Sequence, residues 1–345
     1  MPAEQRYFME NAIPILDIDL PNPRGHAPLR NPLSVRRTSS IDMTWPNGRG
    51  NTMHFHGVGR DIFTPAGDAK PELICLDEMF ADIAPDRTIT NIHATPERDN
   101  LDSLIGVRGG GYLRQALNER LPDEQRKGSP LYLLIDDISG TSLIAGWAWS
   151  RWPDHNIQTE EELKRRDQHM AQMEGICIGF RPGSSGLVSG GTAHVHRASP
   201  VPPLQHPEDP DGWHHLTIHS QVSMRRARRI DVWIDGDVQI EATFQDSASA
   251  PEGGRIAIHE YSLHISADPD TLAIKQISAR PHVLPYPECP SAIGNVAMMV
   301  GTPLADMRTQ VLEVLPRVRG CTHLNDAMRA VAEVPVLIAE LRARL

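Results

Sequence analysis

Hydrophobic and polar residues alternate with a period of two along several stretches of the chain. In 238–246 the apolar positions are Val238, Ile240, Ala242 and Phe244, and Asp246 closes the same face. In 256–265 Ala257, His259, Tyr261, Leu263 and Ile265 share one face, while Glu260 and His264 take the other. Successive side chains of a strand point to opposite faces, so this pattern predicts half-buried strands, with antiparallel strands from 213 to about 280. The period then changes. Leu324, Met328, Val331, Val334, Ile338 and Leu341 recur at helical spacing and predict a helical tail over 291–345, its apolar stripe facing the core. Thr159, with Glu162 three residues on, reads as a capping box opening a helix over 159–174. Residues 130–150 read as a buried hairpin turning at Ser139-Gly140. Residues 181–211, rich in Gly, Ser and Pro, read as a loop, lid or linker.

Two parts of the chain can be laid over each other. Ile41-Asp42 matches Ile230-Asp231, 53–61 matches 238–246 with Asp61 over Asp246, and 74–83 matches 256–265. The stretches 88–96 and 113–122 then match 272–281 and 307–316 in the same order. The expected fold is α+β: two tandem antiparallel-sheet-plus-helix domains related by a pseudo-two-fold. The expected organisation is an extended arm over 1–35, a supporting repeat over 36–150, a helix and lid or linker over 151–212, and a second repeat over 213–345 that carries the site.

Composition narrows the class. Forty-four acidic against 34 basic residues give a formal charge of −10, which argues against a nucleic-acid partner. No apolar run approaches the roughly 18 residues of a membrane span, and 1–25 lacks the basic and apolar regions of a secretory signal. Four cysteines are too few for a disulfide scaffold, so the expectation is a cytoplasmic protein, with a homodimer permitted.

The two copies differ where chemistry would sit. His259-Glu260-Tyr261 in the second faces Asp77-Glu78-Met79 in the first, and only the second carries Cys289 and the run Gly320-Cys321-Thr322-His323. A carboxylate orienting a histidine, with a phenol nearby, is an acid/base set. Asp246, His259 and Tyr261 therefore head the candidates, joined by Glu260, Cys321 and His323. Cys321 falls at a helix N-terminus, a place that favours thiolate. Cys289, Cys321, His323 and His259 form an alternative set of zinc ligands, although no local C-x-x-C pair supports it. His54 and His56 fall on an outward face. His194 and His196 border a Gly-rich stretch, and of His214, His215 and His219 on one expected strand only the last two share a face. The glycine-serine loop within 173–191 offers amides to an anion but has no phosphate-loop signature. Arg225, Arg226, Arg228 and Arg229 read as a solvated face, an edge guard or a contact for an acidic substrate.

The run DGDVQIEATFQDS (235–247), then HEY (259–261), LPYPECPSA (284–292) and GCTHLNDAMRAVAEVP (320–335), resembles the uncharacterised bacterial family called domain of unknown function 2889. Members show a D-G-x-x-x-I-E-A-x-L-x-D strand, a His-acidic-Met/Tyr triplet, a Pro-Tyr-x-x-Cys turn and a late Gly-Cys-Thr-His-Leu. All four stand here in order. The resemblance covers about 210–340, and 36–65 with 173–191 resemble a longer subgroup; Tyr261 stands where many shorter members have Met. It implies the same residues but no reaction.

Three readings follow. The first is a cofactor-independent enzyme of lyase or isomerase type, acting by acid/base chemistry on a small, partly apolar, aromatic or acyl-derived metabolite. The second is a zinc-binding structural or hydrolytic domain. The third is a non-catalytic ligand-binding or assembly protein.

Overall fold

The computed structural model describes residues 22–152, 172–187 and 197–345, with positions 160, 161, 164 and 168. The helix expected over 159–174 falls largely outside the described residues, as do His194 and His196.

The first half opens with four strands: β1 (Ser34–Thr44), β2 (Met53–Thr64), β3 (Glu72–Ile83) and β4 (Ile89–Thr95). Helices α1 (Gly111–Arg120), α2 (Pro122–Lys127) and α3 (Pro130–Ile144) follow. After the short strand β5 (Ser199–Val201) come β6 (Ser223–Asp235), β7 (Asp237–Ser249), β8 (Arg255–Ala267) and β9 (Ile274–Val283). The chain ends in α4 (Met307–Val314), α5 (Thr322–Arg329) and α6 (Val334–Arg342). The fold is α+β, with one nine-stranded sheet in the order β4-β3-β2-β1-β6-β7-β8, where β9 and β5 both pair β8. Every pairing is antiparallel, and β1 against β6 joins the two meanders.

The hairpin expected over 130–150 is instead helix α3. Pro130 sits in its first turn after Ser129, where a missing N–H costs nothing. Gly140 is an interior helix position rather than a turn, and it is bare because an added Cβ would stand 2.2 Å from the Arg226 guanidinium. Apolar residues all round α3 explain the misreading, since a helix buried on most sides loses its 3.6 period. The helix lies close on β2: a Cβ at Gly59 would come within 2.5 Å of Pro130.

The C-terminal stripe from Leu324 to Leu341 is buried in the core under β6–β9, so it is not a free surface for a second copy. The segment expected as a strand from 213 runs instead as coil up to Ser223. It crosses the sheet face rather than lengthening an edge: both ring nitrogens of His214 meet β1 hydroxyls, Thr38 at 2.9 Å and Ser40 at 2.7 Å.

The arginine run is no solvated face or edge guard. β6 is central, and all four arginines are buried against carboxylates. Arg225 grips Asp42 at 2.5 and 2.7 Å, Arg226 grips Asp246, Arg228 grips Asp137 at 2.6 Å twice, and Arg229 meets Asp231 and Glu241. On β1, Arg36 grips Asp231 at 2.5 and 3.0 Å and Arg37 grips Asp61 at 2.7 and 2.6 Å. A buried guanidinium is tolerated only when paired, which is why each arginine has an acidic partner. Among the described residues no helix is long and apolar enough to cross a membrane.

Candidate active site

Three neighbouring strands bring the charged part of the site together. Arg226 on β6 stands opposite Asp246 on β7, and Asp246 stands opposite His259 on β8. The alternation read from sequence therefore holds: Asp246 and His259 share the helix-covered face, and Phe244 with Tyr261 is the next pair in the same direction. Asp246 is fully buried. Arg226 donates to both of its oxygens, at 2.9 and 3.0 Å, and His259 Nδ1 lies 3.2 Å from Oδ2.

Helix α5 supplies the fourth member. Cys321 occupies its N-cap, so the first turn carries His323 down onto the sheet. The His323 and His259 rings stack with centroids 3.4 Å apart and planes 20° from parallel. His323 Nε2 stands 3.9 Å from Asp246 Oδ2. The side chain of His323 is 18% exposed, against 6% for His259 and none for Asp246, so the group opens outward through His323. Arg226 also faces Asp137 at 3.5 Å and Asp326 at 3.3 Å, and its guanidinium lies 4.8 Å above the Phe244 ring.

The electrostatics sort these groups. Burial alone would raise the Asp246 carboxyl, but Arg226 and the bond from His259 hold it well below the usual carboxylate range. Burial pushes His259 down despite Asp246, and burial with the neighbouring His259 pushes His323 well down. At neutral pH the site is an ionised carboxylate clamped by a guanidinium, with two neutral imidazoles against it. The bond to Asp246 assigns the His259 proton to Nδ1 and leaves Nε2 as a free base.

The remaining candidates separate. Tyr261 shares the face, but its buried hydroxyl has no hydrogen-bond partner and is surrounded by Cys321, Cys289 and Cys177 rather than by the histidines. Glu260 lies on the opposite face, where Gln245 and the Arg24 amide each donate to it at 3.1 Å. Cys321 does sit at a helix N-terminus, yet the thiolate expectation is corrected: burial outweighs the amides and raises its thiol. Among the described residues the three ligand-type groups with atoms within 4.8 Å of one another are Asp246, His259 and His323, not the cysteine and histidine set. Arg226 already occupies both oxygens of Asp246, so a dication there would sit against a buried positive charge.

Other histidines take ordinary partners. His54 and His56 face outward beside Asp82 at 2.9 Å and Glu78 at 3.1 Å, and His219 meets Asp42 at 3.0 Å. In the described part of the glycine-serine loop, Ser185 gives its amide and hydroxyl to Glu288, at 2.9 and 2.7 Å, rather than to an anion. Sequence reasoning missed Arg226 as the clamp and Cys177 altogether. The repeat carried the signal for Arg226, because the register that lays Ile41 on Ile230 also lays Arg37 on Arg226.

Residues 224–337 match the family described as Protein of unknown function (DUF2889). That stretch, about a third of the chain, is similar to this family. No curated protein and no solved structure matches the chain. The DUF2889 stretch runs from β6 into α6 and contains Arg226, Asp246, His259, Tyr261, Cys289, Cys321 and His323. Arg37, Asp61, Asp137 and Cys177 lie outside it.

Proposed function

We propose that this protein is an acid/base catalyst of lyase or isomerase type, acting on a small, partly apolar, aromatic or acyl-derived molecule. One observation carries the reading: two neutral imidazoles are stacked beside an ionised carboxylate that a buried arginine clamps. His259 is the base, Asp246 orients it through Nδ1, and His323 is the partly exposed imidazole that passes the proton. A base held neutral at working pH is what proton abstraction needs.

A comparison of the two meanders supports this. Arg37 and Asp61 are placed in the first as Arg226 and Asp246 are in the second. A half-turn about the Ser39–Arg228 pair also exchanges Arg36–Asp231 with Arg225–Asp42. We infer that the meanders are copies of one unit related by a pseudo-two-fold. Two residues from the match read in the sequence, the first copy has Cys75 opposite Asp61 where the second has His259 opposite Asp246; Asp77, held by Arg98 at 2.5 Å and the Leu131 amide at 3.2 Å, stands where Tyr261 does. One copy has a thiol at this position, and the other keeps two neutral bases there.

The test is solvent exchange. In deuterated water the protein should wash deuterium into a carbon acid from a panel of small aromatic and acyl carboxylates, followed by NMR. His259→Gln should slow this by about 10²–10⁴-fold. Unchanged exchange in folded His259→Gln would remove His259 from the chemistry.

A further inference from the structure

Asp326 joins the histidine pair to a second set of charges. It follows His323 by three residues on α5, so the two side chains share a face of that helix. Its Oδ2 takes a hydrogen bond from Arg226 at 3.3 Å, and its Oδ1 takes one from Arg114 Nη2 at 3.0 Å. Arg114 stands near the start of α1. The side chains of Arg226, Arg228, Arg308 and Arg329 are no more than 11% exposed, whereas that of Arg114 is 30% exposed. Its Nε is buried without a hydrogen-bond partner, with Asp136 3.8 Å away. This arginine and His323 are therefore the parts of the group that reach outward.

Arg87 approaches the same place. It lies in the turn between β3 and β4 with φ 74°, a conformation that residues other than glycine seldom take. On α3 it donates to the Ser139 carbonyl at 2.7 Å and to the Ser142 hydroxyl at 3.1 Å. A Cβ on Gly109 or Gly110, just before α1, would stand 3.5 or 3.9 Å from Arg87 Nη2. Ser139 adjoins Gly140, where a Cβ would stand 2.2 Å from Arg226 and 2.8 Å from Asp326. Among the described residues no carboxylate pairs with Arg87, and the charges that act on it, Arg108 and Arg114, are both positive. A partly buried guanidinium among neutral oxygens and other arginines carries an unanswered charge.

We propose that the substrate of the histidine pair is a carboxylic acid, its carboxylate held by Arg87 and Arg114 and its remaining body reaching His323. This rests on the acid/base reading above and adds the group that the site recognises. Arg114 is already answered by Asp326, so one positive charge, that of Arg87, is left over. One charge matches a carboxylate and falls short of a phosphate dianion, and guanidinium forks fit carboxylate oxygens. Both arginines lie outside 224–337, so the first half of the chain supplies the grip and the matched stretch supplies the bases.

Full-length protein would be titrated calorimetrically with benzoate and with benzamide, its uncharged counterpart of similar shape, while NMR follows the His323 ring. The expected result is one benzoate per chain, benzamide weaker by about tenfold or more, and His323 signals shifted by benzoate. Arg87→Gln and Arg114→Gln should each weaken benzoate by about tenfold and leave benzamide unchanged, because a hydrogen bond to a charged group is worth that much. Equal binding of the two ligands, no binding of benzoate, or a loss that falls equally on both in the variants overturns the proposal. So does arginine-dependent binding that leaves the His323 signals unmoved, which would set the anion site apart from the histidines. Deuterium exchange separates this idea from the acid/base reading. Exchange that survives unchanged in both arginine variants removes the carboxylate anchor alone. Arginine-dependent benzoate binding beside His323, with no exchange in any carboxylate, removes the chemistry and keeps the anchor.

Discussion

The imidazole of His323 lies flat on that of His259, 3.4 Å between centroids, although the two residues are far apart in sequence and belong to a helix and a strand. Stacking holds only while both rings stay neutral, because two imidazoliums at that separation repel strongly. The charge that His259 would carry is one reason His323 resists protonation. In His259→Ala the pKa of His323 should rise towards the ordinary value of about 6.5. NMR titration of the His323 ring would measure it, and an unchanged pKa would mean that burial alone sets it.

Removing the carboxylate should cost more than removing a histidine. Asp246→Asn leaves the Arg226 guanidinium buried without its main counter-charge. Loss of one partner of a buried pair costs about 3–5 kcal/mol, and the lower end is expected because Asp137 and Asp326 also face Arg226. Urea unfolding reads this directly; a cost under about 1 kcal/mol would show that those two carboxylates suffice.

Gly140→Ala should destabilise the protein although alanine is the better helix former by about 1 kcal/mol. The new methyl would stand 2.2 Å from Arg226 and 2.8 Å from Asp326, and Arg226 is held by carboxylates on several sides. Overpacking of this kind costs roughly 1–3 kcal/mol. A raised melting temperature would mean that Arg226 can move aside.

Acid should unfold the protein early. Burial lowers the pKa of His214 to about 3, and that of His259 and His323 also lies below the ordinary value. The unfolded chain therefore binds protons below about pH 6.5 that the folded chain refuses, and stability falls as pH drops. Each such histidine contributes a slope of about 1.4 kcal/mol per pH unit, for His214 down to about pH 3. Urea midpoints at pH 7.5, 6.5, 5.5 and 4.5 should fall in turn; a flat profile would mean that these rings are protonated in the fold.

Local pattern made much of the fold legible. Alternation placed Asp246 and His259 on one face and Glu260 on the other, because side-chain direction along a strand depends only on neighbours in sequence. Helical spacing marked the C-terminal stripe for the same reason. Helix α3 was misread because it is apolar nearly all round, and the coil before β6 was misread because crossing a face and lengthening an edge demand similar residues.

The sequence by itself determined the α+β class, the face of each strand residue and the presence of a family-specific set around Asp246, His259, Cys321 and His323. Tertiary structure decided how that set divides. Pairing of β1 with β6 buried the arginines, and each then required a carboxylate, so Asp246 became the partner of Arg226. The first turn of α5 laid His323 on His259 while leaving Cys321 with Tyr261, Cys289 and Cys177. Composition and period cannot encode such meetings, because they depend on long-range register and on the balance between burying a charge and pairing it.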